Sequence, residues 1–135
     1  MATGKKRSVL VIDDDGAFVD MIGPVLTTSG FGVVGAPSGE NALSGIRHTD
    51  YDLIIIDIFM KGMGGIEGIQ RIRELRPDAK IIATSAGFDE MPPDTALEAA
   101  TKIGADAILS KPFKFEDLES IAAALLSPPC GPARP

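Results

Sequence analysis

Short aliphatic or β-branched runs recur along this chain at residues 9–12, 31–34, 53–56, 80–83 and 107–109, and stretches with helical spacing separate them. Three of the runs show no polar alternation, which suits strands buried on both faces. In the first intervening stretch Phe18, Met21, Ile22, Val25 and Leu26 share one helical face. In the second, Ala42, Leu43 and Ile46 follow Ser38, a helix-capping residue type. Ile66, Ile69, Ile72 and Leu75 run up to Pro77, Leu97, Ala100 and Ile103 up to Gly104, and Leu118, Ile121, Leu125 and Leu126 form the last helix. The reading is β-α five times over. Strands that alternate with helices imply parallel pairing through right-handed crossovers, with helices on both faces of one sheet. Pro24 falls inside the first helix, where it removes a backbone donor and is expected to kink or loosen the turn.

Composition narrows the class. A length of 135 residues fits one domain, and area scaling gives such a chain enough buried surface for a core without staples. One Cys excludes an internal disulfide, and with one His it excludes a zinc site built from Cys and His alone. Thirteen basic against nineteen acidic side chains leave a net charge of −6, which argues against binding nucleic acid through its phosphates. The longest apolar stretch, residues 53–60, is interrupted by Asp57 and falls far short of the roughly 20 residues a membrane span needs. The basic Lys5-Lys6-Arg7 start leads within a few residues to three aspartates, so there is no signal-peptide core. We therefore expect a cytoplasmic protein with no membrane or nucleic-acid partner, a basic leader at 1–7, one domain at 8–126 and a Pro-rich tail at 127–135.

Ligands of doubly wound parallel sheets bind beyond the carboxyl ends of the strands, so those ends are where chemistry is sought. The first strand ends in Asp13-Asp14-Asp15, the third in Asp57, the fourth in Thr84-Ser85 and the fifth in Ser110-Lys111-Pro112. A single Asp after a strand serves equally well as a helix cap, and Asp15, next to Gly16, reads that way. Asp57 at the tip of an apolar run, facing two more acids, is different. Clustered carboxylates repel one another unless a cation sits between them. With no soft or imidazole ligand at hand, oxygen-coordinated Mg²⁺ fits best. Lys111 then serves as charge partner for an anion brought to the metal. A carboxylate so placed can also act as a nucleophile and form an aspartyl-phosphate.

Taken together, residues 11–15 (Val-Ile-Asp-Asp-Asp), Asp57 with the Gly-rich 60–65, Ser85-Ala86, and 104–113 (Gly-Ala-Asp-Ala-Ile-Leu-Ser-Lys-Pro-Phe) resemble the receiver domain of two-component response regulators over almost the whole chain. The resemblance implies a stand-alone, CheY-like domain with a five-stranded sheet in the flavodoxin-like order 2-1-3-4-5. It implies that Asp57 is the phospho-acceptor, that Asp13, Asp14, Asp57 and the backbone carbonyl of Phe59 hold Mg²⁺, and that Ser85 and Lys111 pair with the phosphoryl group. It also implies a cis Lys111–Pro112 bond, accessible because the second residue is Pro. The implied donor is a histidine kinase or a histidine phosphotransfer protein. Output would pass to a further protein through a phosphorylation-dependent switch, with no enzymatic turnover beyond the domain's own phosphotransfer and dephosphorylation.

Several positions depart from the family. Lys61 and Gly64 stand where Pro and Asp are usual, and residues 89–94 lengthen a loop, which chains tolerate cheaply. Ile108 occupies the switch position that usually carries Tyr or Phe, so an aromatic ring swing is not available. That substitution keeps an alternative reading open, a pseudo-receiver that binds partners without phosphorylation. A flavodoxin-like cofactor binder would need a hydroxyl- and Gly-rich loop where three aspartates stand. A phosphohydrolase would need a capping element for which no residues remain. His48, at the end of the second helix, reads as a surface residue, and Cys130 as an exposed thiol in the tail.

Overall fold

The computed structural model describes residues 7–58, 65–85, 104–111 and 113–126. Five strands, β1 (Arg7–Ile12), β2 (Phe31–Ala36), β3 (Leu53–Asp57), β4 (Lys80–Ser85) and β5 (Ala107–Ser110), form one sheet in the order β2-β1-β3-β4-β5. Every neighbouring pair is parallel. Four described helices accompany it: α1 (Gly16–Thr28), α2 (Gly39–His48), α3 (Gly65–Leu75) and, after β5, α4 (Phe115–Leu126). The expected helix ending at Gly104, the 89–94 loop and the Pro-rich tail lie outside the described residues, as do Lys61 and Gly64. β1 begins at Arg7, the last residue of the expected leader.

Alternating strand side chains divide the core in two. Leu10, Ile12, Ile54, Ile56, Ile81 and Ala83 meet Leu43 and Ile46 of α2 and Ile69 and Ile72 of α3. Val9, Val11, Leu53, Ile55 and Ile82 point the other way, against Phe18, Ile22 and Leu26 of α1 and Leu118 and Ala122 of α4. β3 is buried along its whole length, as its unbroken aliphatic run requires. Helices thus cover both faces, in agreement with the alternation in the sequence.

Local signals set most helix ends. Asp15 caps α1, its side chain accepting from the amides of Ala17 and Phe18, and Ser38 caps α2 by accepting from Asn41 N–H at 3.2 Å. Gly30, with φ +101°, closes the turn after α1 in a conformation that other residues adopt only with strain. The buried face of α1 differs from the sequence reading in one residue. Met21 is 53% exposed, because the buried stripe of α1 runs Phe18, Ile22, Leu26 and leaves Met21 on its flank. Pro24 stands inside the 13-residue α1, where the sequence reading placed it, and on the exposed side. There the missing N–H costs a hydrogen bond but no core contact. Among the described residues, no helix is long and apolar enough to cross a membrane.

Candidate functional site

Strand register alone brings the candidate residues to one edge. Ile12 pairs with Ile56, so Asp13 and Asp57 follow on adjacent strands; Asp57 pairs with Thr84, and Ser85 pairs with Ser110, one residue before Lys111. Backbone bonds continue the pairing past the strand ends. Ile58 N–H donates to the Thr84 carbonyl at 3.0 Å, and Lys111 N–H donates to the Ser85 carbonyl at 2.8 Å. Asp57 and Ser85 are themselves the last residues of β3 and β4, so the sheet extends to the polar tips.

At that edge Asp13, Asp14 and Asp57 each present a carboxylate oxygen within 4.8 Å of the others. Asp13 is 2% exposed and Asp57 9%, while Asp14 faces solvent. Burying carboxylates is costly unless they are paired and hydrogen-bonded. Asp13 meets that demand twice: Oδ1 accepts from Asp15 N–H at 2.9 Å, and Oδ2 accepts from Lys111 Nζ at 2.8 Å. The same ammonium lies 3.4 Å from Asp57 Oδ2. Lys111 therefore bridges two acids from different strands, and the cluster is already built to take positive charge. Its donors are all hard oxygens at a spacing close to what one ion with bonds of about 2.1 Å can span, so the residues present fit a hard divalent cation.

The remaining candidates sit as follows. Ser85 is fully buried next to Asp57's neighbour Thr84, whose hydroxyl lies 3.5 Å from the Ile56 carbonyl. Ile108 is 39% exposed on edge strand β5, between Ala107 and Leu109, which pack into the cluster under α1 and α4. Phe59 and Pro112 lie outside the described residues, and with them the expected carbonyl ligand and the expected cis bond. His48 closes α2 on the surface, away from the acids in the sequence and exposed. Asp15 is the α1 cap, as its neighbourhood in the sequence implies.

One participant was not singled out from the sequence. The Phe18 ring lies under Lys111, with Nζ 4.0 Å from its centroid, and Phe113 meets Phe18 edge-on at 6.0 Å. Helical spacing marked Phe18 only as a core residue. The available signal was its place in the first turn after a strand-end acid, which puts it near the sheet edge. A cleft of about 590 Å³ opens at the other end of β3 and β4, between Asp50, Tyr51, Arg76, Pro77 and Leu126, and none of the candidate residues lines it.

Known proteins resemble this chain in sequence and in fold. The transcriptional regulatory protein YvrH of Bacillus subtilis is 36% identical over 113 residues, 81% of this chain and 44% of that protein. A two-component response regulator from Clostridium difficile superposes with a TM-score of 0.82 at 25% identity, covering 90% of this chain and 96% of that one. The response regulator TrrA of Thermotoga maritima, solved in complex with Mg²⁺-BeF, is 32% identical with a TM-score of 0.75, covering 89% of this chain and 99% of that one. The chain spans less than half the length of YvrH, whereas it matches TrrA almost end to end. The model of the response regulator receiver domain matches residues 9–123, from within β1 to within α4. A match of that extent, on a sheet with this strand order, leaves one conclusion: the chain belongs to the receiver domains of two-component response regulators.

Proposed function

We propose that Asp57 is a phospho-acceptor, charged by the phosphohistidine of a histidine kinase or a histidine phosphotransfer protein. The observation that carries the reading is the meeting of Asp57 with Asp13, Asp14 and the Lys111 ammonium at one strand edge. An Asp57 oxygen attacks phosphorus in line, the P–N bond to the imidazole breaks, and the departing imidazole takes up a proton. Lys111, already poised between two carboxylates, pairs with the phosphoryl oxygens as their charge spreads. Ser85 supplies a hydroxyl donor from the neighbouring strand tip. Asp13, Asp14, Asp57 and the Phe59 carbonyl would hold Mg²⁺, which offsets the negative charge of acids and phosphoryl group together when bound. Water later cleaves the acyl phosphate, returning the carboxylate and releasing inorganic phosphate.

Signalling follows from the change of charge. A phosphoryl dianion draws Ser85 and Lys111 towards it and shifts a pre-existing equilibrium between two packings. With Ile108 at the switch position, that repacking proceeds without an aromatic ring swing. The reading places the domain, residues 8–126, in the cytoplasm, with a protein rather than nucleic acid as its target. It is a switch, not a turnover enzyme.

Incubation with acetyl phosphate and Mg²⁺, followed by intact mass, tests this. The wild-type chain is expected to gain one phosphoryl group, and Asp57→Asn none. No gain in the wild type, or an undiminished gain in Asp57→Asn, would overturn the assignment.

A further inference from the structure

Lys111 is held from three sides, and only two are carboxylates. Its Nζ lies 2.8 Å from Asp13 Oδ2, 3.4 Å from Asp57 Oδ2 and 4.0 Å from the centre of the Phe18 ring. The ring is fixed at both ends. Phe18 stands in the first turn of α1, where its N–H donates to the capping Asp15 Oδ1 at 3.3 Å. Phe113, two residues beyond Lys111, packs edge-on against it at an interplanar angle of 84°. Phe18 is 8% exposed and shares its core cluster with Ile22 and Leu26, so it has little room to turn aside.

The three holds differ in kind. An ammonium has three N–H donors, and each carboxylate contact uses one. A ring face attracts the charge through its quadrupole and competes for no acceptor. When a phosphoryl group arrives, the contacts to Asp13 and Asp57 must give way to contacts with its oxygens, whereas the ring contact need not change. We propose that Phe18 is the positioning residue for Lys111: its ring keeps the ammonium over Asp57 while the hydrogen bonds pass from carboxylates to phosphoryl oxygens. The proposal rests on the phospho-acceptor reading above and adds to it a residue from the first turn of α1.

The competing view is that Phe18 only fills the core. Phe18→Leu separates the two, because it keeps an apolar side chain and removes the ring; Phe18→Tyr restores a ring face, and Phe18→Met serves if the leucine variant folds poorly. Urea titration establishes that each variant is folded. Two readouts then apply to the full chain. The first is the proton chemical shift of the Lys111 ε-methylene, assigned by its loss in Lys111→Arg. Ring current should move it upfield in the wild type and Phe18→Tyr, and Phe18→Leu should return it to the ordinary lysine position. The second is the rate of phosphorylation by acetyl phosphate with Mg²⁺. Phe18→Leu should slow it roughly fivefold to thirtyfold, the range expected for a largely desolvated cation–π contact. Phe18→Tyr should restore it, and in a Lys111→Ala background Phe18→Leu should cost nothing more.

An unshifted ε-methylene in the wild type overturns the proposal, as does an equal slowing by Phe18→Leu with and without Lys111. A ring-shifted lysine in a wild-type chain that gains no phosphoryl group supports the hold of Phe18 on Lys111 and overturns the phospho-acceptor reading instead.

Discussion

Arg73 shows how much one side chain can tie together away from the site. Its guanidinium donates to the carbonyls of Pro77 at 2.8 Å, Ala79 at 2.6 Å and Gly104, and to Asp106 Oδ2 at 2.9 Å. The same Asp106 oxygen accepts from Ile81 N–H at 2.9 Å, so α3, the start of β4 and the entry to β5 meet at one fork. Gly104 helps make the room: it has φ +130°, and a Cβ there would stand 3.3 Å from Arg73 Nε. Removing the guanidinium strands partly buried acceptors, which costs more than the bonds themselves contribute. Arg73→Ala should therefore lower unfolding free energy by about 2–3 kcal/mol in urea titration. Arg73→Lys should recover only a minor part, because an ammonium cannot reproduce the planar fork. A lysine variant as stable as the wild type would show that charge alone matters here.

At the scale of elements, α1 contains a built-in weakness. Pro24 offers no N–H to the carbonyl one turn before it, yet lies on the solvent side of a helix whose buried stripe is intact. Thr27 Oγ1 donates to the Gly23 carbonyl at 2.9 Å, a side chain bonding back to the preceding turn. Pro24→Ala should stabilise the domain by about 1–3 kcal/mol, read as a higher urea midpoint at unchanged slope. A lower midpoint would mean that the proline ring makes a contact worth more than the bond it costs. The elements themselves were legible because their periods are pure: β3 is four aliphatic residues and an acid, and α2 has a capping Ser followed by a clean apolar stripe. Boundaries were less so. β2, β3 and β4 run past their aliphatic runs to Ala36, Asp57 and Ser85, because ladder hydrogen bonds do not depend on side-chain polarity. Met21 and Leu75 carried the right spacing and still face solvent, since a helix contacts the sheet along a stripe narrower than its apolar arc. The acids and Lys111 could be read because charged residues at strand tips are conspicuous. Phe18 could not, since an apolar ring beneath an ammonium looks in sequence like any other core residue.

For the molecule as a whole, the sheet acts as a partition. Ile69 belongs to the cluster under α2 and α3, Ile22 to the cluster under α1 and α4, and both are fully buried. Ile69→Val and Ile22→Val should each cost about 0.5–1.5 kcal/mol. Combined, the losses should sum to within about 0.5 kcal/mol, because the two positions belong to separate clusters on opposite faces of the sheet. A larger coupling would show that strain crosses the sheet. The site has the opposite character, since no part of it is local. Asp13 and Lys111 are separated by 98 positions in the chain. Until β5 is seated beside β4, the acids of β1 and β3 have no lysine between them. β5, the last of the five described strands in chain order, thus delivers the counter-ion for acids on the first and third. Sheet assembly and site assembly are therefore one event: without β5 in place the carboxylates of Asp13 and Asp57 lack the ammonium between them, and clustered acids without a cation repel one another.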